Sequence, residues 1–244
     1  MNKILLGLCL ILLASCSSTV DFKVQGSRFH TPESAGEALK PGVTFGYGVG
    51  HKYELAEISS GIIFDDSYEA QVSTAIDKTS GVTLHAFLGM TEYLDIYYNT
   101  YHDSVDTLGV KWQVIGDSDG KGHKLALLTG YGLGTDTSAG DIRLKTGSSS
   151  TRSYDTELEL SAFDLELIYG YRANENALVY ANINYSGLSA EAELTSSDFD
   201  DEDIEGNVKT QAFLLGVEFR DDKKQKGVIL EVGVSKSEWE NSVD

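Results

Sequence analysis

A period-two alternation of apolar and polar side chains, unbroken by proline after Pro41, constrains this chain more than any other feature. Phe163, Leu165, Leu167, Tyr169 and Tyr171 fall on one side of a ladder, and Asp164, Glu166 and Gly170 on the other, with Ile168 the apolar exception. After the turn-like residues 172–176, Ala177, Val179, Ala181, Ile183 and Tyr185 oppose Tyr180, Asn182, Asn184 and Ser186. The pair reads as a β-hairpin with one apolar and one polar face. Both prolines, Pro32 and Pro41, precede it. Proline removes a ladder donor, so its later absence suits one continuous sheet.

Further strands are expected over residues 43–49, 68–76, 82–88, 93–101, 106–115, 123–133, 208–220 and 227–236, with a fragment near 61–64 and a turn over 77–81. The later ones alternate best. Leu108, Val110, Trp112 and Val114 oppose Gly109, Lys111 and Gln113; Val228, Leu230, Val232 and Val234 oppose Glu231, Gly233 and Ser235. Short connections at 89–92, 116–122, 172–176 and 221–226 alternate with the modest link 102–105 and the long stretches 135–155 and 195–207. Short turns on one side and long loops on the other are the rhythm of a membrane-spanning barrel. An even strand number requires either an early strand overlooked or a final strand beyond this sequence, giving about ten.

At the start, Lys3 precedes an apolar run over residues 4–13 that is far shorter than the roughly 20 residues of a spanning helix. It reads as a secretory signal over residues 1–15. Leu13-Ala14-Ser15-Cys16 resembles the lipobox of bacterial lipoproteins, in which the cysteine is acylated and becomes the first residue. That resemblance implies lipidation at Cys16, and the absence of aspartate at Ser17 implies the outer membrane. Residues 16–41 are then expected as a polar lipidated tether and 42–244 as the barrel domain. With Cys9 discarded, no second thiol remains for a disulfide. The net charge of −19 argues against nucleic acid and against electrostatic docking to anionic lipid. The expected partner is outer-membrane lipid, held by acyl chains or apolar surface.

The alternation alone fits either a soluble barrel with an apolar interior or a membrane barrel with a polar one. The polar face favours the second. It is rich in Gly, Ser, Asn and Thr beside isolated charges of both signs, as a narrow lumen requires. Tyr93, Tyr97, Tyr98, Tyr101, Tyr169, Tyr171 and Tyr185 cluster towards strand ends, as in an interfacial belt. Residues 86–95, Ala-Phe-Leu-Gly-Met-Thr-Glu-Tyr-Leu-Asp, resemble the tight periplasmic turn of bacterial outer-membrane β-barrel proteins. The expected fold is all-β: an antiparallel, up-and-down transmembrane β-barrel of about ten strands. Asp95, Lys111, Gln113, Lys124, Asp164, Glu166, Asn182, Asn184, Glu218, Arg220 and Glu231 are expected to line its lumen. A barrel this small is filled largely by side chains, leaving at most a narrow path for small solutes.

Signals for chemistry are weak. The acidic run 198–205 and Asp117-Ser-Asp119 offer hard oxygens for Ca²⁺, yet neither has the spacing of a calcium loop. No metal or cofactor is expected. His102-Asp103 with Asp65-Asp66 resembles the paired groups of outer-membrane proteases only in residue type. His85 has no serine motif beside it. The leading expectation is a non-catalytic, lipid-anchored outer-membrane barrel displaying acidic loops. Its rivals are a soluble periplasmic lipoprotein barrel holding an apolar ligand, with Phe163, Leu165, Val217 and Val232 inward, and an outer-membrane hydrolase.

Overall fold

The computed structural model describes residues 17–59, 76–101, 104–118, 120–136, 142–146, 150–195, 202–221 and 227–243. Their regular structure is all β: β1 Ser17–Gln25, β2 Pro41–Ser59, β3 Ile76–Gly89, β4 Leu94–Tyr101, β5 Thr107–Ile115, β6 Gly122–Asp136, β7 Ile142–Thr146, β8 Ser150–Asn174, β9 Ala177–Thr195, β10 Glu202–Arg220 and β11 Gly227–Val243. Ten of these form one antiparallel up-and-down sheet in sequence order, and β7 pairs only with β8. The sheet curls until β2, the neighbour of the end strand β1, reaches the opposite end strand β11 through side chains. His51 Nε2 of β2 lies 2.7 Å from Ser235 Oγ of β11.

The apolar set of the alternation lies outward and the polar set inward. The outer face carries Val43, Phe45, Tyr47 and Val49 of β2, Leu108, Val110, Trp112 and Val114 of β5, and the hairpin set from Phe163 to Tyr171. The upper edge of this apolar band steps along the sheet, falling by two residues of register from β8 to β9 and again from β9 to β10. Register aligns Phe163 with Gly187, Tyr185 with Gln211, and Phe213 with Val234. Beyond the last apolar residue of each strand the outward positions turn polar: Ser161 and Glu159 of β8, Gln211 and Lys209 of β10, and Lys236 and Glu238 of β11. From Ala177 to Tyr185 the band covers about 27 Å of strand at ~3.4 Å per residue. Among the described residues its outward positions carry no charge.

Several sequence expectations need correction. Residues 77–81 are part of β3, paired with β2, because the strand runs past its apolar part into a polar extension. The long stretch 135–155 holds β7 and the start of β8, whose 25 residues project well beyond the apolar band. The expected strand over 68–76 and the fragment 61–64 lie outside the described residues, except that Ile76 begins β3. Tyr97 and Tyr101 are not belt residues: each is 2% exposed and points inward.

The largest correction concerns the N-terminal tether. Residues 17–25 form β1 against the far half of β2, with Ser17 opposite Ser59 and Gln25 opposite Gly50. The chain then turns inside the sheet, and most of residues 26–35 are buried. A polar composition suited a solvated linker equally well; what the segment faces here is another polar surface. β1 is also the early strand that brings the sheet to ten.

Candidate functional site: a threaded interior

The buried face presents closely spaced charges, which apolar packing alone would not tolerate. Of the residues expected inward, Asp95, Lys111, Gln113, Lys124, Asp164, Glu166, Asn182, Asn184 and Glu218 are buried, while Arg220 and Glu231 are partly buried. Lys111 Nζ lies 3.0 Å from Asp95 Oδ2 and 5.0 Å from the centroid of the Phe87 ring. Most of the other charges are matched by residues 26–35.

That segment descends beside β8 with its own extended period. Arg28 Nη2 donates to Asp164 Oδ1 at 2.9 Å and to Asn184 Oδ1 at 3.2 Å. Two residues on, His30 Nδ1 meets Glu166 Oε1 at 3.0 Å, and Asn182 Nδ2 donates to the same carboxylate at 2.8 Å. His30 Nε2 lies 3.0 Å from His85 Nδ1. Glu166, when ionised, can only accept, so a hydrogen bond from His30 requires the proton on Nδ1. Pro32 then fits over Gly170, where a Cβ would press on its ring.

Glu33 is the hub of the lower interior. Its carboxylate takes Arg172 Nη2 at 2.7 Å and Arg220 Nη1 at 2.9 Å, with Lys124 Nζ at 3.6 Å. Glu218 Oε2 takes a second bond from Arg172 Nη2 at 2.9 Å. Lys124 Nζ also donates to the Asp117 carbonyl. Below this hub the backbone takes over: Ser34 N–H donates to Gln113 Oε1 at 2.7 Å and Ala35 N–H to Asp95 Oδ1 at 3.0 Å.

The entry point has its own anchor. The successive N–H groups of Arg28 and Phe29 donate to one oxygen of Glu231, at 2.8 and 3.1 Å. Converging two neighbouring donors on one atom bends the main chain, and Phe29 takes φ 54°, a left-handed value that side chains rarely adopt. Its ring rests on Gly46, and Ser27 lies against Gly48. The glycines alternating along β2 are thus the bed on which the segment lies.

Aromatic rings fill the remaining space. Tyr97 covers Gly109 and Gly130, and Tyr180 covers Gly216. Tyr97, Tyr180, Ala126, Leu128, Ile168 and Leu178 form an apolar cluster between the charged layers.

Sequence reasoning placed the wall residues but missed their partners. Arg172 read as a turn residue, yet it is a fully buried end of β8. Arg28, His30 and Glu33 were assigned to a tether. The signal was a set of three isolated ionisable residues between two glycines, each matching an opposite charge on the wall. Phe163, Leu165 and Val232, required inward by an apolar-ligand barrel, are exposed, and Val217 shares their outer face, so that requirement fails. His102, Asp103, Asp65, Asp66, Asp119, Cys16 and residues 198–201 lie outside the described residues. Among the described residues, no group of three or more His, Cys, Asp or Glu is arranged to hold a metal. His85 is engaged by His30 rather than by a serine. Comparisons with protein families, curated proteins and solved structures find no match for this chain.

Proposed function

We propose that this chain is a non-catalytic outer-membrane β-barrel protein, acylated at Cys16, whose interior is closed by its own N-terminal segment. One observation carries the reading: an uncharged apolar band outside surrounds a buried network of paired charges. Soluble proteins rarely expose so much contiguous apolar surface. The stretch from Ala177 to Tyr185 is close to the roughly 9–11 residues that a tilted strand needs to cross a bilayer. A structural role is favoured over a solute channel, because residues 26–35 occupy the space a solute would need.

The test is a Cys16→Ser variant, which has no acyl anchor. On this reading it stays with the membrane through alkaline washing and needs detergent for release. Release of a folded, detergent-free chain would contradict the barrel and revive the soluble lipoprotein.

A further inference from the structure

The path of the threaded segment has a direction, and the direction fixes where the N-terminus emerges. Four levels of the sheet can be ordered along β8, which descends from Asp164 through Glu166 and Gly170 to Arg172, next to the tight turn Glu175-Asn176. Arg28 meets Asp164, His30 meets Glu166, Pro32 meets Gly170 and Glu33 meets Arg172. The segment therefore runs parallel to β8, towards the short turns. It arrives at them: Ser34 Oγ donates to the Glu92 carbonyl at 2.6 Å and Leu39 N–H to the Gly89 carbonyl at 2.8 Å. At its other end, β1 lies against residues 50–59 of β2, the half farthest from the Gly89 turn, and Ser17 stands opposite Ser59.

We infer that the mature N-terminus leaves the barrel on the side of the long connections, so that it, and any acyl group on Cys16, lies outside the cell. This rests on the proposed outer-membrane reading, in which short turns face the periplasm. A tether from the periplasmic leaflet would have to reach Ser17 by crossing the wall. It would also leave residues 26–35 with no route through the interior in the direction observed. The N-terminus joins the charged outward positions Glu157, Glu159, Glu191 and Glu193, which lie beyond the apolar band at the same end. The surface displayed outside thus includes the start of the chain as well as its acidic loops.

An epitope inserted between Ser17 and Ser18 reports the side directly, with a second epitope between Asp221 and Gly227 marking the short turns. On intact cells the N-terminal epitope is expected to bind antibody, and the turn epitope only after permeabilisation. The variant Ser18→Cys, treated with a small membrane-impermeant thiol reagent, gives the same readout without an insertion. A Glu191→Cys variant marks the long-connection side. Labelling of Ser18→Cys that follows the turn epitope, appearing only on permeabilisation while Glu191→Cys labels intact cells, would overturn the inference and leave the barrel standing. If neither Glu191→Cys nor the N-terminal probe reacts on intact cells and the chain washes off without detergent, both the barrel and the inference fail.

Discussion

Arg172 of β8 grips Glu33 with a two-pronged contact, Nη2 to Oε2 at 2.7 Å and Nε to Oε1 at 2.5 Å, across 139 positions of sequence. The planar guanidinium matches the carboxylate plane, which gives this pair direction as well as energy. Arg220 and Lys124 complete the cationic side, and Glu218 keeps Arg172 from being left in excess. A single acidic side chain of the threaded segment therefore contacts three cations of the wall, and together with Glu218 it sets two carboxylates against them.

Removing that acid is the sharpest test of the lock. Glu33→Gln leaves Arg172, Arg220 and Lys124 close together without their shared counter-charge. Breaking a buried ion pair by removing one partner costs about 3–5 kcal/mol. Urea unfolding of the detergent-solubilised protein, followed by gel mobility of unheated samples, should show a loss of this size. In a double-mutant cycle with Arg172→Met, the two effects should be clearly less than additive. Simple additivity would mean that the two side chains do not interact.

Glycine positions give a paired prediction. At Gly216 an added Cβ collides with the Tyr180 ring, whereas at Gly187 nothing lies within 4 Å. Gly216→Ala should cost about 1–3 kcal/mol by overpacking. Gly187→Ala should be close to neutral. Equal losses in the same unfolding assay would contradict the packing of Tyr180 described above.

How much of this was legible in the sequence depends on which neighbour sets a residue's fate. Phe163 to Tyr171 could be read because alternate residues on one strand share a face, a local property of the backbone. Asp164, Glu166, Asn182 and Asn184 followed from the same parity. Arg28, His30 and Glu33 could not be read that way: each acquires its meaning from a strand more than 100 positions away, as in Arg28 with Asp164. Tyr97 misled because an inward tyrosine over two glycines and an interfacial tyrosine look alike along one strand. Arg172 misled because Asn174 and Asn176 beside it suggested that the turn began sooner than it does.

Charge on the outer band should be costly only where lipid is the neighbour. Ile183→Lys lies within the band, and Glu191→Lys lies beyond it. Lysine near the bilayer midplane costs about 2–4 kcal/mol in such barrels, falling towards zero at the interface. Folding yield into lipid vesicles should drop for the first variant and not for the second. Matching yields would argue that the band faces something other than lipid.

If the threaded segment closes the interior, emptying it should open a path. The wild-type protein is expected to give no steady conductance in planar bilayers. Replacing residues 26–38 by a flexible Gly-Ser stretch should yield discrete openings. A large steady conductance from the wild type would contradict closure by this segment.

The most direct measurement asks whether the apolar band contacts acyl chains. The chain has two tryptophans, Trp112 and Trp239, so a background with both changed to Phe is silent. Into it, Ile183→Trp and Glu191→Trp are introduced separately, and each protein is folded into bilayers containing lipid brominated at mid-chain. A membrane-inserted barrel requires strong quenching at position 183 and little at 191. Fluorescence at 183 that ignores the brominated lipid but yields to aqueous iodide would contradict it.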